Sequence, residues 1–230
     1  MNRILQKCEL NPTVTLMKVD APLIARKAEP GQFIILRVDA DGERIPLTIA
    51  DFDRQQGSVT IIFQVVGATT EKLNRLREGD FIHDFAGPLG RPTHTEGLRK
   101  VAVVGGGVGC AIAYPVAKKL HQQGCEVHAI IGFRNRDLVI LEPEFANVSD
   151  QLFRVSDDGS WGERGLVTDV LRRQLTQGEQ YDQVITIGPL MMMKFVCALT
   201  KEFGVKTLAS MNPIMIDGTG MCGGCRLTVG

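Results

Sequence analysis

The chain has 230 residues, with 26 lysines and arginines against 26 aspartates and glutamates, so its formal net charge is zero and its pI is near 6.9. That balance speaks against the basic stripe of a nucleic-acid binder and the basic amphipathic helix of a membrane-surface protein. At 44% hydrophobic and 23% charged residues the composition excludes long disorder, and the length suffices for one large core or two modest ones.

The N-terminal MNRILQKCELNP carries Arg3 and Lys7 and has no apolar run of signal-peptide length, so a cytoplasmic location is expected. Thr13 to Val19, Gln32 to Val38 and Ser58 to Val66 are rich in Val, Ile, Phe and Thr. Turn-prone stretches such as Glu29-Pro30-Gly31 and Asp39-Ala40-Asp41-Gly42 separate them. Short strands at this spacing predict a small antiparallel β-barrel. One helix interrupts it over Thr69 to Leu76, with hydroxyls at its start and Gly79 after its end.

From Val101 the rhythm changes to alternating strands and helices. Strands are expected over Val101 to Val104, Glu126 to Ile131, Leu152 to Ser156, Gln183 to Ile187 and Thr207 to Met211. Helices are expected over Ala111 to Gln123, Leu166 to Leu175 and Met191 to Phe203. This alternation predicts a parallel sheet with right-handed crossovers, a Rossmann-like α/β domain. The uncharged run from Val101 to Ala117 contains a glycine cluster and Pro115. It falls short of the roughly 20 apolar residues of a membrane span, so no membrane insertion is expected. The division is 1–98 for the barrel, 99–211 for the α/β domain and 212–230 for a glycine-rich cysteine tail.

Three motifs carry chemistry. Lys100-Val-Ala-Val-Val-Gly-Gly-Gly-Val-Gly109 sets a buried-type strand before a glycine loop and a helix start. There the backbone can approach a pyrophosphate and the helix dipole favours its charge. The alternative is a tight turn with no ligand. Gly188-Pro189 follows another strand, where ligands of open α/β sheets collect. The second motif is Arg44-Ile-Pro-Leu-Thr-Ile49, whose guanidinium can grip a phosphate bidentately. On spacing alone, however, it reads as a proline-bearing edge strand with one exposed arginine. Val65-Val-Gly-Ala-Thr-Thr70 offers a glycine and two hydroxyls at a helix start, suited to phosphate and equally to capping.

The third motif is Asp217-Gly-Thr-Gly-Met-Cys222-Gly-Gly-Cys225. It has the C-x4-C-x2-C spacing of plant-type [2Fe–2S] loops, with Asp in the first position. Half of a zinc site and a redox-active cysteine pair are the alternatives. No Cys or His follows Cys225, so the fourth ligand is missing. The expectation is a truncated piece of a longer polypeptide, an incomplete site, or one completed by a partner. Cys8, Cys110, Cys125 and Cys197 read as reduced structural thiols. His83, His94, His121 and His128 lack metal-ligand spacing, and G-x-S-x-G is absent. Met191-Met192-Met193 reads as core or cofactor-adjacent packing.

A barrel with RIPLTIAD, then GGGVG, SDDGSWGERGLVTD, IGPLMMMK and NPIMIDGTGMCGGC, resembles the ferredoxin reductase-like flavoproteins over nearly the whole chain. Within them it is most similar to the small FAD and [2Fe–2S] subunits of the NADH-dependent ferredoxin:NADP oxidoreductase or sulfide dehydrogenase type. The dihydroorotate dehydrogenase electron transfer subunits are close cousins. The resemblance implies FAD held by Arg44, Pro46, Leu47 and Thr48, with Arg44 on its phosphate and Thr48 beside the isoalloxazine, where hydride transfer occurs. It implies a second FAD phosphate loop at Gly67, Thr69 and Thr70. For NAD(H) or NADP(H) it implies a site at Gly105, Gly106, Gly107, Gly109, Gly188 and Pro189, with Asp157, Asp158 and Gly159 nearby; the two acids would repel a 2′-phosphate. Asp217, Cys222 and Cys225 match three cluster ligands, Asp217 being the feature that sets the ferredoxin:NADP type apart from the all-cysteine dihydroorotate type. The implied partner is a larger flavin and iron–sulfur subunit resembling a glutamate synthase small subunit. A dinucleotide-binding module whose cysteine pair holds zinc is the alternative.

Overall fold

The computed structural model describes residues 1–211; Asp217, Cys222 and Cys225 lie outside them. The described residues form two compact units, Met1–Thr93 and His94–Met211.

The first unit is one antiparallel sheet of β1 (Asn2–Asn11), β2 (Val14–Asp20), β3 (Phe33–Arg37), β4 (Ile45–Asp53), β5 (Ser58–Gln64), β6 (Phe81–Ile82) and β7 (Asp84–Leu89). Its order is β6-β1-β2-β5-β4-β3-β7. The two edge strands, β6 and β7, are joined by His83 alone, so the sheet must curl until its edges approach: a near-barrel. Alternation along the strands fills it. Ile34 and Leu36 of β3, Ile49 of β4 and Val59 and Ile61 of β5 are fully buried together, while Phe33, Ile35 and Arg37 face the other way, half-buried. Two helices accompany the sheet, α1 (Pro22–Lys27) and α2 (Ala68–Arg75).

The strand β1 and the helix α1 were not anticipated from sequence. In β1 only Ile4 is fully buried and Lys7, Cys8 and Glu9 break any alternation, so pairing with β2 rather than an apolar pattern makes it a strand. Helix α1 opens on Pro22 at its first turn, where a missing N–H costs nothing. Pro46 sits inside β4, which is not an edge strand. The proline is tolerated because β4 pairs with β5 only from Ile49 onward, so at Pro46 the strand has β3 as its sole partner.

The second unit is a parallel sheet of β8 (Lys100–Gly106), β9 (Glu126–Phe133), β10 (Gln151–Ser156), β11 (Glu163–Arg164), β12 (Gln183–Ile187) and β13 (Thr207–Ala209), ordered β11-β10-β9-β8-β12-β13. Val101 to Val104 are fully buried, as befits a strand covered on both faces. Helix α3 (Cys110–Gln122) packs with α4 (Glu142–Ala146), and α5 (Val167–Thr176) with α6 (Leu190–Glu202). The sequence placed the starts of α3 and α6 one residue too late and that of α5 one residue too early. From β8 the chain steps outward to β9 and β10, then returns past β8 to β12. The strand order therefore reverses between β8 and β12, which is where an open α/β sheet leaves a crevice. No described helix is long and apolar enough to cross a membrane.

The opposite edge of this sheet is tied by charge. Asp182 accepts from the amides of Arg99 (2.6 Å) and Lys100 (3.0 Å), fastening the start of β8 to the turn before β12. These two bonds hold the Asp182 carboxyl below its ordinary range. Asp182→Ala is expected to lower stability by about 1–2 kcal/mol at neutral pH, the partial exposure keeping the loss modest. The folded value lies below the unfolded one, so the contribution is complete above roughly pH 4 to 5 and fades as pH falls through the folded value. Urea melts of wild type and variant should therefore converge between neutral and strongly acidic pH. Beside it, fully buried His128 lies between the Tyr181 hydroxyl (2.9 Å) and Glu126 (3.0 Å). Of the described cysteines, Cys110 and Cys125 are buried and Cys8 is exposed; burial and three nearby carboxylates push the Cys125 thiol up to about 11.

Candidate functional site

The crevice between β8 and β12 is built from glycine. After Gly105 and Gly106 close β8, a single tight turn, Gly107–Gly109, leads into α3, whose N-terminal dipole favours an anion. Gly107 has φ +54° and nothing within 4 Å of where a Cβ would stand, so its backbone is open to a ligand. Gly109 is the reverse case. A Cβ there would lie 2.6 Å from the Ile187 carbonyl oxygen and 2.7 Å from the Gly188 Cα. A Cβ on Gly106 would likewise meet the Met192 side chain and the Pro189 Cδ at 3.1 Å. The fold thus presses the Gly105–Gly109 loop against Gly188-Pro189, two motifs far apart in sequence. Cys110 is sealed beneath the loop. Burial pushes its thiol well above the usual range, so it stays neutral and adds no charge.

On the same edge, after β10, Asp157, Asp158 and Gly159 form a tight turn in which Gly159 has φ +78°. The Asp157 amide donates to the Phe133 carbonyl (3.1 Å), holding the turn to the end of β9. Asp158 accepts from the Ser160 hydroxyl (2.6 Å) and amide (2.9 Å), which holds its carboxyl below the usual range, and the Arg136 amide donates to the Ser160 hydroxyl (2.9 Å). Asp158 is therefore engaged by its own turn, while Asp157 projects to solvent. Trp161 anchors the turn from below, donating to Glu142 (2.9 Å) and packing edge-on to Phe133.

In the first unit, Arg44 stands exposed immediately before β4. Its neighbour Glu43 accepts from the Thr69 hydroxyl (3.3 Å), and Asp39 pairs with Lys72, so the loop before β4 is fastened to the start of α2. That ties Glu43, the residue before Arg44, to Thr69 at the start of α2. Gly67 has open space where a Cβ would be. The Thr70 hydroxyl accepts from the amides of Val66 and Gly67 (3.0 Å each) and donates to the Gly67 carbonyl (2.9 Å); it is a cap that shapes the turn. Pro46 and Thr48 stand opposite Ile35 and Phe33 on the half-buried face of β3 and β4, whereas the Leu47 side chain turns into the barrel core.

Residues 103–198, which contain the whole crevice, match the model of the oxidoreductase NAD-binding domain. The chain is 48% identical to an uncharacterized protein from the adh 3′ region of Clostridium beijerinckii, across 100% of this chain and 80% of that one. It is 43% identical to the Thermotoga maritima homolog of the dihydroorotate dehydrogenase B (NAD(+)) electron transfer subunit, over 100% of this chain and 80% of the relative. The solved structure of an NADH-dependent reduced ferredoxin-NADP oxidoreductase superposes with a TM-score of 0.92 at 42% identity, over 100% of this chain and 82% of that one. The chain belongs to the ferredoxin reductase-like family of electron transfer subunits.

Within this electron transfer subunit the residues present fit both cofactors implied by the fold. Gly107 and Gly67 leave backbone open beside a helix start, which is what a diphosphate needs, and the half-buried face of Phe33, Ile35, Pro46 and Thr48 is a platform of the kind a flat ring covers. Sequence reasoning missed two places in the subunit. Arg134 and Asn135 follow the end of β9, one strand from β8, where Asp157 is two strands away; the signal was the polar RNRD after a strand. Met191-Met192-Met193 was read as core or cofactor-adjacent packing without distinguishing the three, and Met192 is the one whose side chain reaches Gly106. Among the described residues no group of three His, Cys, Asp or Glu could hold a metal.

Proposed function

We propose that this subunit passes electrons between NAD(H), FAD and a [2Fe–2S] cluster, to or from a larger flavin and iron–sulfur partner, as in oxidoreductases of the ferredoxin:NADP or sulfide dehydrogenase type. The observation that carries the reading is the crevice at the β8–β12 reversal, with open backbone at Gly107 and the Gly188-Pro189 turn against it. When bound, nicotinamide and flavin supply hydride transfer and the cluster supplies one-electron transfer. The chain's own residues bind and orient. Amides of the Gly105–Gly109 loop and the α3 N-terminus hold the dinucleotide pyrophosphate. Arg44, with Gly67 and Thr69, holds the FAD phosphates, and Thr48 offers its hydroxyl to the polar edge of the isoalloxazine. Asp217, Cys222 and Cys225 are the proposed cluster ligands, the fourth coming from outside these residues. Asp157, unengaged in its turn, disfavours a 2′-phosphate and so favours NADH.

The names of the Thermotoga maritima relative and of others at 31–33% identity favour a second reading, a dihydroorotate dehydrogenase electron transfer subunit. The first test is an anaerobic visible spectrum of the full chain before and after one equivalent of NADH. Flavin bands that bleach on addition are expected, with absorbance beyond them where a cluster assembles. A chain that stays colourless after reconstitution with FAD, and contains stoichiometric zinc, would overturn the proposal in favour of a zinc-holding dinucleotide module. Orotate-dependent oxidation of the reduced chain, seen only when a dihydroorotate-oxidising partner is supplied, would decide for the second reading.

A further inference from the structure

We propose that the outward face of α6 docks an acidic protein surface, that of the partner with which this subunit exchanges electrons; the partner's identity rests on the proposed function. Helices α5 and α6 pack against each other over one core, yet they differ on the side turned away from it. Helix α5 buries Val170 and Leu171 and presents Asp169, Arg172 and Arg173 to solvent, the ordinary pattern of a surface helix. Helix α6 buries Met193, Val196 and Leu199, but its outer side carries Met191, Phe195 and Ala198. Their spacing of four and then three residues sets them in one stripe on a helix. Met191 is 55% exposed and Phe195 57%. A helix apolar on both sides belongs in an interior, so the outer stripe of α6 calls for a cover.

Charge marks one flank of that stripe. Lys194 and Lys201 follow Met191 and Ala198 by three residues each, are exposed, and stand in no ion pair among the described residues. The acids of the two helices are engaged elsewhere. Arg172 holds Glu202 at 3.0 Å, and Asp169 accepts from the Leu166 amide at 2.8 Å, capping α5. The face is therefore apolar along its centre and positive, without local compensation, along its side.

This charge selects the occupant. A second copy packed face to face about a two-fold axis would set lysines against lysines, with Glu202 already taken. Residues 212–230 contain a single acid, Asp217, the proposed cluster ligand. Two lysines fall short of the clusters of about four to eight that hold a protein to an anionic lipid surface. A protein surface with an apolar centre and carboxylates at its rim satisfies both features, since interfaces are apolar at the core and polar at the rim, and opposite charges steer the encounter. The place suits electron exchange. Helix α6 begins where β12 ends, at the edge of the sheet on which the crevice opens, so a partner on its first turns stands beside the dinucleotide site.

The test uses the full chain produced together with the larger flavin and iron–sulfur subunit. Phe195→Ser is expected to weaken their association by about 10- to 100-fold. Lys194→Glu is expected to weaken it by about 5-fold at low ionic strength, the difference fading as salt is raised. Both side chains are exposed, so NADH-driven dye reduction by the chain alone should match wild type in each variant. A carbodiimide, which joins an amine to a carboxylate with loss of water, should link the wild-type chain to the larger subunit through Lys194 or Lys201. Association unchanged by both substitutions would overturn the surface and leave the proposed function standing. A wild-type chain that does not bind the larger subunit would overturn that partner and this proposal together. Sedimentation of the chain alone as a dimer that Phe195→Ser splits would assign the face to a second copy. Binding to phosphatidylserine vesicles that Lys194→Glu abolishes would assign it to a membrane, and either result overturns the proposal.

Discussion

Gly109→Ala is expected to weaken NADH binding by about 10- to 100-fold. The added methyl would sit 2.6 Å from the Ile187 carbonyl oxygen, 2.7 Å from the Gly188 Cα and 2.9 Å from the Gly188 amide nitrogen. All three are backbone atoms, so no rotamer change makes room. Either the Gly107–Gly109 turn lifts off the end of β12, or β12 slides against β8, to which it is fixed by the pairing of Ile187 with Gly105. Overpacking of this kind costs about 1–3 kcal/mol, and each 1.4 kcal/mol lost from the binding geometry is about tenfold in affinity. Gly178→Ala is the control. Gly178 has φ +95° and open space around it, after α5, so it bears the left-handed backbone cost of a side chain without crowding the crevice. Calorimetric titration should show Gly178→Ala binding NADH as wild type does, with only a lowered Tm. Wild-type affinity in Gly109→Ala would mean that the dinucleotide does not use this loop.

The contrast between those glycines shows what sequence could and could not disclose. The run Lys100 to Gly109 announces a strand, a turn and a helix, because apolar period and glycine are local signals, and β8 and α3 form where the pattern puts them. The second unit was legible for that reason: each buried parallel strand is a continuous apolar run. The first unit was less so. Strand β1 is held by its register with β2, and β4 carries a proline that only its one-sided pairing makes acceptable, both facts of tertiary structure. The site divides in the same way. Gly105 to Gly109 and Gly188-Pro189 could be singled out by their position after strands, but that Gly109 is pinned to Gly188 while Gly107 lies open follows from the crossover that sets β12 beside β8. Arg44 and Thr69 were separate suspects in sequence. The bond from Thr69 to Glu43 joins them, and no spacing rule predicts a contact of that separation.

That junction sets the second large effect. Arg44→Ala is expected to weaken FAD by about 10- to 100-fold, so that the chain emerges from gel filtration largely colourless and regains flavin only at high added FAD. A guanidinium–phosphate pair contributes about 1.5–3 kcal/mol through charge-assisted bonds, and Arg44 is exposed just before β4, next to Glu43, in no ion pair among the described residues. Arg44→Lys should recover part of the loss, since an ammonium keeps the charge but not the planar fork. The neighbouring carboxylate sharpens the argument. Glu43 is held to Thr69, so its negative charge would stand close to phosphates held by Arg44 as proposed, and like charges at such a site oppose each other. Glu43→Gln should therefore tighten FAD by a few-fold, most visibly at low ionic strength, where screening is weakest. If Arg44 merely led into β4, Arg44→Ala would leave flavin content unchanged and Glu43→Gln would do nothing. Opposite shifts from two adjacent residues, both fading as salt is raised, are what an anionic ligand at the start of α2 requires.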